Sequence, residues 1–74
     1  MTQINTSVDI NAFSFRGGLA MPRAITYLNQ YIIFNGGLRM TVSGTQLFDM
    51  DGGDGRTYRL ARQNNDWTLV GVVA

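Results

Sequence analysis

Apolar and polar residues alternate near the start of the chain. Ile4, Val8 and Ile10 have the same parity, and polar residues lie between them. Successive side chains of a strand point to opposite faces of the sheet, so this pattern is typical of a half-buried strand over residues 4–10. The two phenylalanines that follow fall on the other parity, which predicts a bulge or a turn near Asn11 to Ala12.

The segment from Pro22 to Phe34 fits two structures. Its β-branched and aromatic residues favour strands, and the Asn35-Gly36 pair after it is a hairpin signal. Its polar residues nevertheless gather on one helical face, whereas in a strand they would fall on both faces. The apolar positions follow the i, i+3, i+4 spacing of an amphipathic helix: Ala24, Tyr27, Leu28, Tyr31 and Ile32.

The ends of this segment also favour a helix. Pro22 suits a first helical position, and Gly36 or Gly37 can take the left-handed conformation that closes a helix. Ile33 is the one apolar residue on the polar face. We therefore predict a helix over residues 22–34.

The remainder of the chain is predicted to form an antiparallel meander. Its strands are expected at Leu38–Val42, Gln46–Met50, Arg56–Arg62 and Trp67–Val73, separated by glycine-, serine- and asparagine-rich turns. In the first of these strands, Leu38, Met40 and Val42 are expected to point inward. The last strand is apolar on both faces, which predicts a central position or a cover on both sides.

These elements predict one α+β domain over residues 1–74, in which a helix packs on an antiparallel sheet of four to five strands. The alternative is a small all-β barrel, in which residues 22–34 form strands. Seventy-four residues are too few for two hydrophobic cores.

The types of charged residue limit the reactions that the protein could catalyse and the metals that it could bind. All six cations are Arg and all five anions are Asp, and the chain has no Cys, His, Lys or Glu. No side chain has an ordinary pKa between pH 5 and 8, and no imidazole or thiolate is present to bind zinc, iron or copper. We therefore predict no catalytic residue, no metal site and no cofactor, and a protein that is not an enzyme.

Two features could be taken for ligand sites. The loop Asp49–Gly55 has acidic residues at alternate positions, but the fifth and twelfth positions from Asp49 are Gly53 and Leu60, which does not match an EF-hand. We interpret it as a hairpin turn. Arg16-Gly17-Gly18 lacks the rest of a phosphate-binding motif, and we interpret it as the loop between the first strand and the helix.

The arginines Arg56, Arg59 and Arg62 recur at every third residue. On a regular strand, Arg59 points away from the other two, so they do not form one basic stripe. Solvated charge paired with nearby Asp is the expected role. Phosphate binding beside Tyr58 or Trp67 is the alternative.

A partner-binding patch is the leading functional hypothesis, since interfaces are enriched in Tyr, Trp and Arg. On the predicted helix the patch is formed by Arg23, Tyr27, Tyr31 and Ile33. Arg59 and Trp67 are added from the meander: Arg is a frequent interface anchor, and Trp67 is expected at the surface beside a turn.

The predicted function is binding to a protein partner of unknown identity, as a small inhibitor or adaptor. Weak nucleic-acid binding through Arg and exposed aromatic residues is the alternative, and the net charge of +1 does not favour it. Low charge, Ile33 and the apolar last strand favour a homodimer. The chain lacks the pattern of a signal peptide and an 18-residue apolar run, so no membrane partner and a cytoplasmic location are expected.

Overall fold

The computed structural model describes residues 1–73, apart from the side chain of Arg16. Within them there are seven strands and no helix. The strands are β1 (Thr2–Ser7), β2 (Ile10–Arg16), β3 (Leu19–Tyr27), β4 (Gln30–Val42), β5 (Thr45–Gly52), β6 (Thr57–Gln63) and β7 (Asp66–Val73). All neighbouring strands are antiparallel, in the order β1-β7-β6-β5-β4-β3-β2.

The predicted α+β fold is wrong, and the all-β alternative describes the chain. The segment predicted as a helix over residues 22–34 is instead the β3–β4 hairpin. Its two-residue turn is Leu28-Asn29, and both residues have positive φ (51° and 61°), as type I′ turns require. Leucine is uncommon in this conformation. The turn therefore carries no glycine or proline signal in the sequence.

Bulges explain why this segment has an apparent helical spacing. Ile10 pairs with Ile25, Ala12 with Ala24, and then Phe13 with Pro22, so Asn11 and Arg23 are each an extra residue in their strand. Consecutive residues Ala24 and Ile25 are also both buried, although their regular pairing with Ile33 and Ile32 points them to opposite faces of the sheet. The alternation of a regular strand is lost, and apolar residues recur at mixed spacings of one, three and four.

Strand β4 changes partner in its middle. Residues 30–33 pair with β3, and residues 34–42 pair with β5, with Asn35 as an extra residue between the Phe34 and Gly36 pairs. A straight strand of this length would span about 40 Å, whereas the longest dimension of the molecule is 28 Å. The strand is therefore strongly bent, and Asn35-Gly36 marks its bulge rather than a hairpin turn.

The first predicted strand is two strands in the structure. β1 pairs with β7 and β2 pairs with β3, so these consecutive strands lie at opposite ends of the strand order. The amide of Val8, between them, donates to the carbonyl of Trp67 at 3.1 Å. The ring of Phe13 in β2 lies 5.8 Å from that of Trp67 in β7. The sheet thus folds over so that its two ends approach each other.

One hydrophobic core lies inside the folded sheet, with side chains from β3 to β7. Its buried members are Ile25, Ile32, Phe34, Phe48, Met50, Tyr58, Leu60, Trp67 and Leu69. The strands predicted for the meander are present, and β7 lies between β1 and β6. The prediction that Leu38, Met40 and Val42 point inward is wrong, because all three are exposed.

Candidate functional site: the outer face of β4

Strand β4 carries an unusual number of exposed apolar side chains. Five of its thirteen residues are large, apolar and exposed: Tyr31, Ile33, Leu38, Met40 and Val42. Tyr31 and Leu38 expose 60% and 71% of their surface. We call these five residues the β4 outer face. Several large exposed apolar side chains along one strand mark interaction sites more often than single ones do.

The bulge at Asn35 places both halves of the strand in this arrangement. Before it, the even-numbered residues Ile32 and Phe34 are buried and the odd-numbered residues are exposed. The extra residue reverses this parity. After it, the even-numbered residues Leu38, Met40 and Val42 lie on the outside, and the odd-numbered residues lie on the side of Phe48 and Met50, where they are also exposed.

The neighbours on β5 and β6 define the surroundings of the outer face. Leu38 lies opposite Asp49 of β5, which in turn lies opposite Arg59 of β6. Met40 lies opposite Leu47, which extends the apolar surface by one strand. One border of the outer face is therefore apolar, and the other is formed by an ion pair.

That ion pair involves the predicted contact residue Arg59. Its Nε donates to Asp49 Oδ1 at 2.7 Å, and its Nη2 donates to Asp49 Oδ2 at 2.8 Å. The hydrogen bonds from Arg59 hold the pKa of Asp49 below its ordinary value. The guanidinium is only partly exposed and its charge is paired, so it can flank a contact surface but offers little free positive charge.

The other predicted patch residues divide between the two faces of the β3–β4 hairpin. Tyr31 and Ile33 belong to the β4 outer face. Tyr27 lies opposite Gln30 and points to the other side, where it packs against the core and lines a pocket of about 340 Å³ with Tyr58. Arg23 is the exposed bulge residue of β3. The continuous patch expected on one helical face therefore does not form.

Trp67 was expected at the surface and is instead buried, with 9% of its surface exposed. Its ring lies 5.1 Å from Phe48 and 5.8 Å from Phe13, and the Arg62 Cζ lies 5.8 Å from the ring centroid. Phe13 in turn lies 6.3 Å from Phe15, which is mostly exposed. These aromatic rings extend from the core to the tip of the β2–β3 hairpin.

Arg56, which precedes β6, and the two arginines of β6 have separate surroundings. Arg59 is paired with Asp49, whereas Arg62 lies over Trp67 and its Nε donates to the carbonyl of Asn64 at 3.0 Å. Arg56 is exposed beside the pocket that Tyr27 lines. Each cation thus has its own neighbours.

The acidic segment contains the β5–β6 turn, and its carboxylates point to different partners. Asp49 pairs with Arg59, Asp51 accepts from Thr57 at 3.3 Å, and Asp54 accepts from the Tyr58 hydroxyl. In the described part of the chain, no three His, Cys, Asp or Glu side chains gather around a common point. The segment is a turn held by local hydrogen bonds.

The Tyr58–Asp54 hydrogen bond changes the pKa of both groups. Burial and this hydrogen bond raise the pKa of Tyr58 to about 12, and the same bond lowers the pKa of Asp54. The ring of Tyr58 also packs on Phe34 at 5.7 Å. The neutral phenol therefore ties the turn to the core, and its high pKa makes it a poor general base near neutral pH.

The Gly17-Gly18 pair is the two-residue turn between β2 and β3, not a loop that leads into a helix. Its φ values are +56° and +80°, which glycine adopts without strain. Both ends of the turn are strands, so it lacks the helix N-terminus that completes a phosphate-binding loop.

Sequence reasoning missed the three residues that make up most of the β4 outer face. Leu38, Met40 and Val42 have the alternation of an ordinary strand, and only the bulge at Asn35 turns them outward. The signal for that bulge was the Asn35-Gly36-Gly37 sequence inside an apolar alternating pattern, since glycine within a strand pattern suggests a bulge.

No protein-family description, curated protein or solved structure matches this chain. The described residues also contain no helix that is long and apolar enough to cross a membrane.

Proposed function

We propose that this protein is a small, non-catalytic protein-binding domain and that the β4 outer face is its contact surface. The supporting observation is the exposure of five large apolar side chains on one strand. Covering such side chains with a partner removes apolar surface from water, at about 25 cal/mol per Å² of area. A domain of this kind acts by occupying a surface, as an inhibitor or an adaptor does.

The composition supports the same proposal. The side chains that most often act as general acids, bases or nucleophiles near neutral pH, His, Cys and Lys, are absent from the sequence. Tyr58 and Asp54, each of which shifts the pKa of the other, bind each other. Shape and apolar contact are therefore the means by which the domain would act.

The test is a pull-down from the cells that make the protein, with matched charge variants as bait. Leu38→Asp and Ile33→Asp each place a charge on the β4 outer face. Asn65→Asp adds the same charge in the exposed β6–β7 turn, outside the β4 outer face. We expect one protein that the wild type and Asn65→Asp retain and that both outer-face variants lose. Retention unaffected by Leu38→Asp and Ile33→Asp would refute the proposal.

The row of rings from Trp67 through Phe13 to Phe15 supports a second candidate function, binding of single-stranded nucleic acid. Bases stack on exposed aromatic rings, and Arg62 beside Trp67 can contact a phosphate. A mobility-shift assay at low salt with short DNA and RNA tests it. Binding that is weakened by salt and by Phe15→Ala supports this function, and the absence of a shift at high protein concentration rejects it.

A further inference from the structure

The second half of β4 has an open edge. Residues 36–42 pair with β5 on one side, and β3 has left the strand at Ile33 on the other. This edge is regular: the pairs from Gly36–Asp51 to Val42–Thr45 follow one another without a shift. An open edge presents unpaired backbone N–H and C=O groups, and these groups bind another extended strand.

The other long edges of the described sheet carry features that discourage pairing. β1 is irregular between Gln3 and Thr6, and β2 contains the Asn11 bulge. The free edge of β3 contains Pro22, which has no N–H, and the bulge residue Arg23. In the β4 edge, by contrast, there is one charged residue, no proline and no bulge after Asn35. Natural edge strands that must stay unpaired rarely have this composition.

We infer that a second copy of this chain binds the open edge of β4, through antiparallel pairing of residues 38–42 across a two-fold axis at Met40. This inference goes beyond the proposed function, because it assigns a partner to the strand edge and leaves the β4 outer face accessible. A two-fold interface brings the same patch of both copies together, so the patch must be complementary to itself.

The register at Met40 meets this requirement. It sets Met40 opposite the same residue of the second copy, and Leu38 opposite Val42 on both sides of the axis. All of these side chains point to the outer side of the sheet, so the two outer faces join into one apolar surface. Arg39 lies opposite Thr41, and no like charges oppose each other.

The neighbouring registers fit less well. An axis at Arg39 sets two guanidinium groups directly opposite each other, which is unfavourable in a strand pair. An axis at Thr41 sets Leu38 opposite Gly44 in the β4–β5 turn, so an apolar pair is lost. The pattern of apolar, charged and small residues thus selects the Met40 axis.

The inference is tested first by molar mass and by charge exchange at Met40. The purified full chain is expected to sediment at twice its 8.2 kDa mass. Met40→Glu and Met40→Lys each set like charges opposite each other, so each variant should dimerise at least about tenfold more weakly. A mixture of the two sets opposite charges together and should recover dimers that contain one of each.

Leu28→Glu is the matched control for this experiment. Leu28 is an exposed apolar residue of the β3–β4 turn, outside the β4 outer face and outside the proposed pairing. Its substitution should leave dimerisation of the chain unchanged. If Leu28→Glu weakens dimerisation as strongly as Met40→Glu, or if the mixture of charge variants does not recover dimers, the proposed pairing is wrong.

A second measurement covers the case in which the charge variants do not fold. The chain has no cysteine, so Met40→Cys introduces its only thiol. Two thiols at directly opposed positions of an antiparallel pair lie close enough to form a disulfide. Met40→Cys should therefore form a cross-linked dimer under mild oxidation, whereas Arg39→Cys should not. The reverse result would place the axis at Arg39 and overturn the inference.

Failure of this inference and failure of the proposed function give different results. A wild-type chain that stays monomeric at high concentration rejects the second copy as the partner. The contact surface itself is still supported if Leu38→Asp then releases a different protein in the pull-down. Both are rejected if the chain is monomeric and no protein is retained in a way that depends on the β4 outer face.

Discussion

The two halves of β4 both have apolar residues at alternate positions, yet they have opposite roles. In the first half, Gln30–Phe34, Ile32 and Phe34 are buried in the core, and the amide of Gly53 donates to the carbonyl of Ile33 at 2.8 Å. In the second half, Gly36–Val42, no large side chain is buried. One extra residue at Asn35 separates them. The comparison shows that an alternating apolar pattern does not by itself determine which side of a strand meets the core.

The largest expected difference between the two halves is in the free energy of unfolding that is lost when one apolar side chain is truncated. Phe34→Ala removes a fully buried ring that packs on Tyr58 and should lower the free energy of unfolding by about 3–5 kcal/mol. Leu38→Ala removes an exposed side chain and should change it by less than about 0.5 kcal/mol. Urea unfolding at low protein concentration measures both. Equal losses would show that the second half also belongs to the core.

A glycine pair beside the bulge tests how closely the second half approaches β5. A Cβ on Gly37 would lie 2.9 Å from the Met50 Cα, whereas one on Gly36 meets no atom within 4 Å. We therefore expect Gly37→Ala to cost about 1–3 kcal/mol through displacement of the strand. Gly36→Ala should be close to neutral, and thermal unfolding of both variants compares them. A neutral Gly37→Ala would contradict the close pairing of β4 and β5.

The pH dependence of stability tests the role of Tyr58, which packs on Phe34 in the first half of β4. Its pKa of about 12 in the folded protein lies above the ordinary value of 10. The stability it contributes is therefore complete below pH 10 and is lost as pH rises towards 12. Tyr58→Phe should cost about 1 kcal/mol at pH 7 through loss of the hydrogen bond to Asp54. Urea unfolding between pH 7 and 12 should show a smaller alkaline decline for the variant, and an identical decline would contradict the assignment.

Loss of the Asp49–Arg59 ion pair next to Leu38 should have the smallest effect on the free energy of unfolding. The pKa of Asp49 is lowered in the folded protein, so its contribution is present above the ordinary value of 3.8 and is lost as pH falls through the lower, folded-state value. Asp49→Asn should cost at most about 1 kcal/mol at pH 7, because the pair is partly exposed and screened by solvent. Unfolding at pH 7 and pH 2 measures this, and a cost that persists at pH 2 would rule out the charge as its cause.

Sequence patterns predicted the meander well because its strands are regular. β5, β6 and β7 alternate with few interruptions, and glycine- or asparagine-containing turns separate them. The residues that escaped prediction lie where an extra residue enters a strand. Arg23 and Asn35 each shift the parity of their strand. The alternation before such a residue therefore does not predict which residues point inward after it.

The helix prediction failed for a related reason. The turn at Leu28-Asn29 has no glycine, so the segment looked continuous. The bulge at Arg23 shifts the parity of β3, and the consecutive residues Ala24 and Ile25 are buried on opposite faces of the strand. A segment without a turn signal, in which apolar residues recur at mixed spacings, resembles an amphipathic helix. The contact residues Tyr31 and Ile33 could be proposed from residue type alone, whereas Leu38, Met40 and Val42 required the pairing of the strands to be known.

The burial of Trp67 under Phe13 supplies a spectroscopic probe. It is the only tryptophan in the chain, and the ring that covers it belongs to the β2–β3 hairpin. The fluorescence emission of the Trp67 indole therefore reports whether that hairpin is packed against β7. Lifting of the hairpin would shift the fluorescence to longer wavelength and admit a soluble quencher, even while the remainder of the sheet stayed intact.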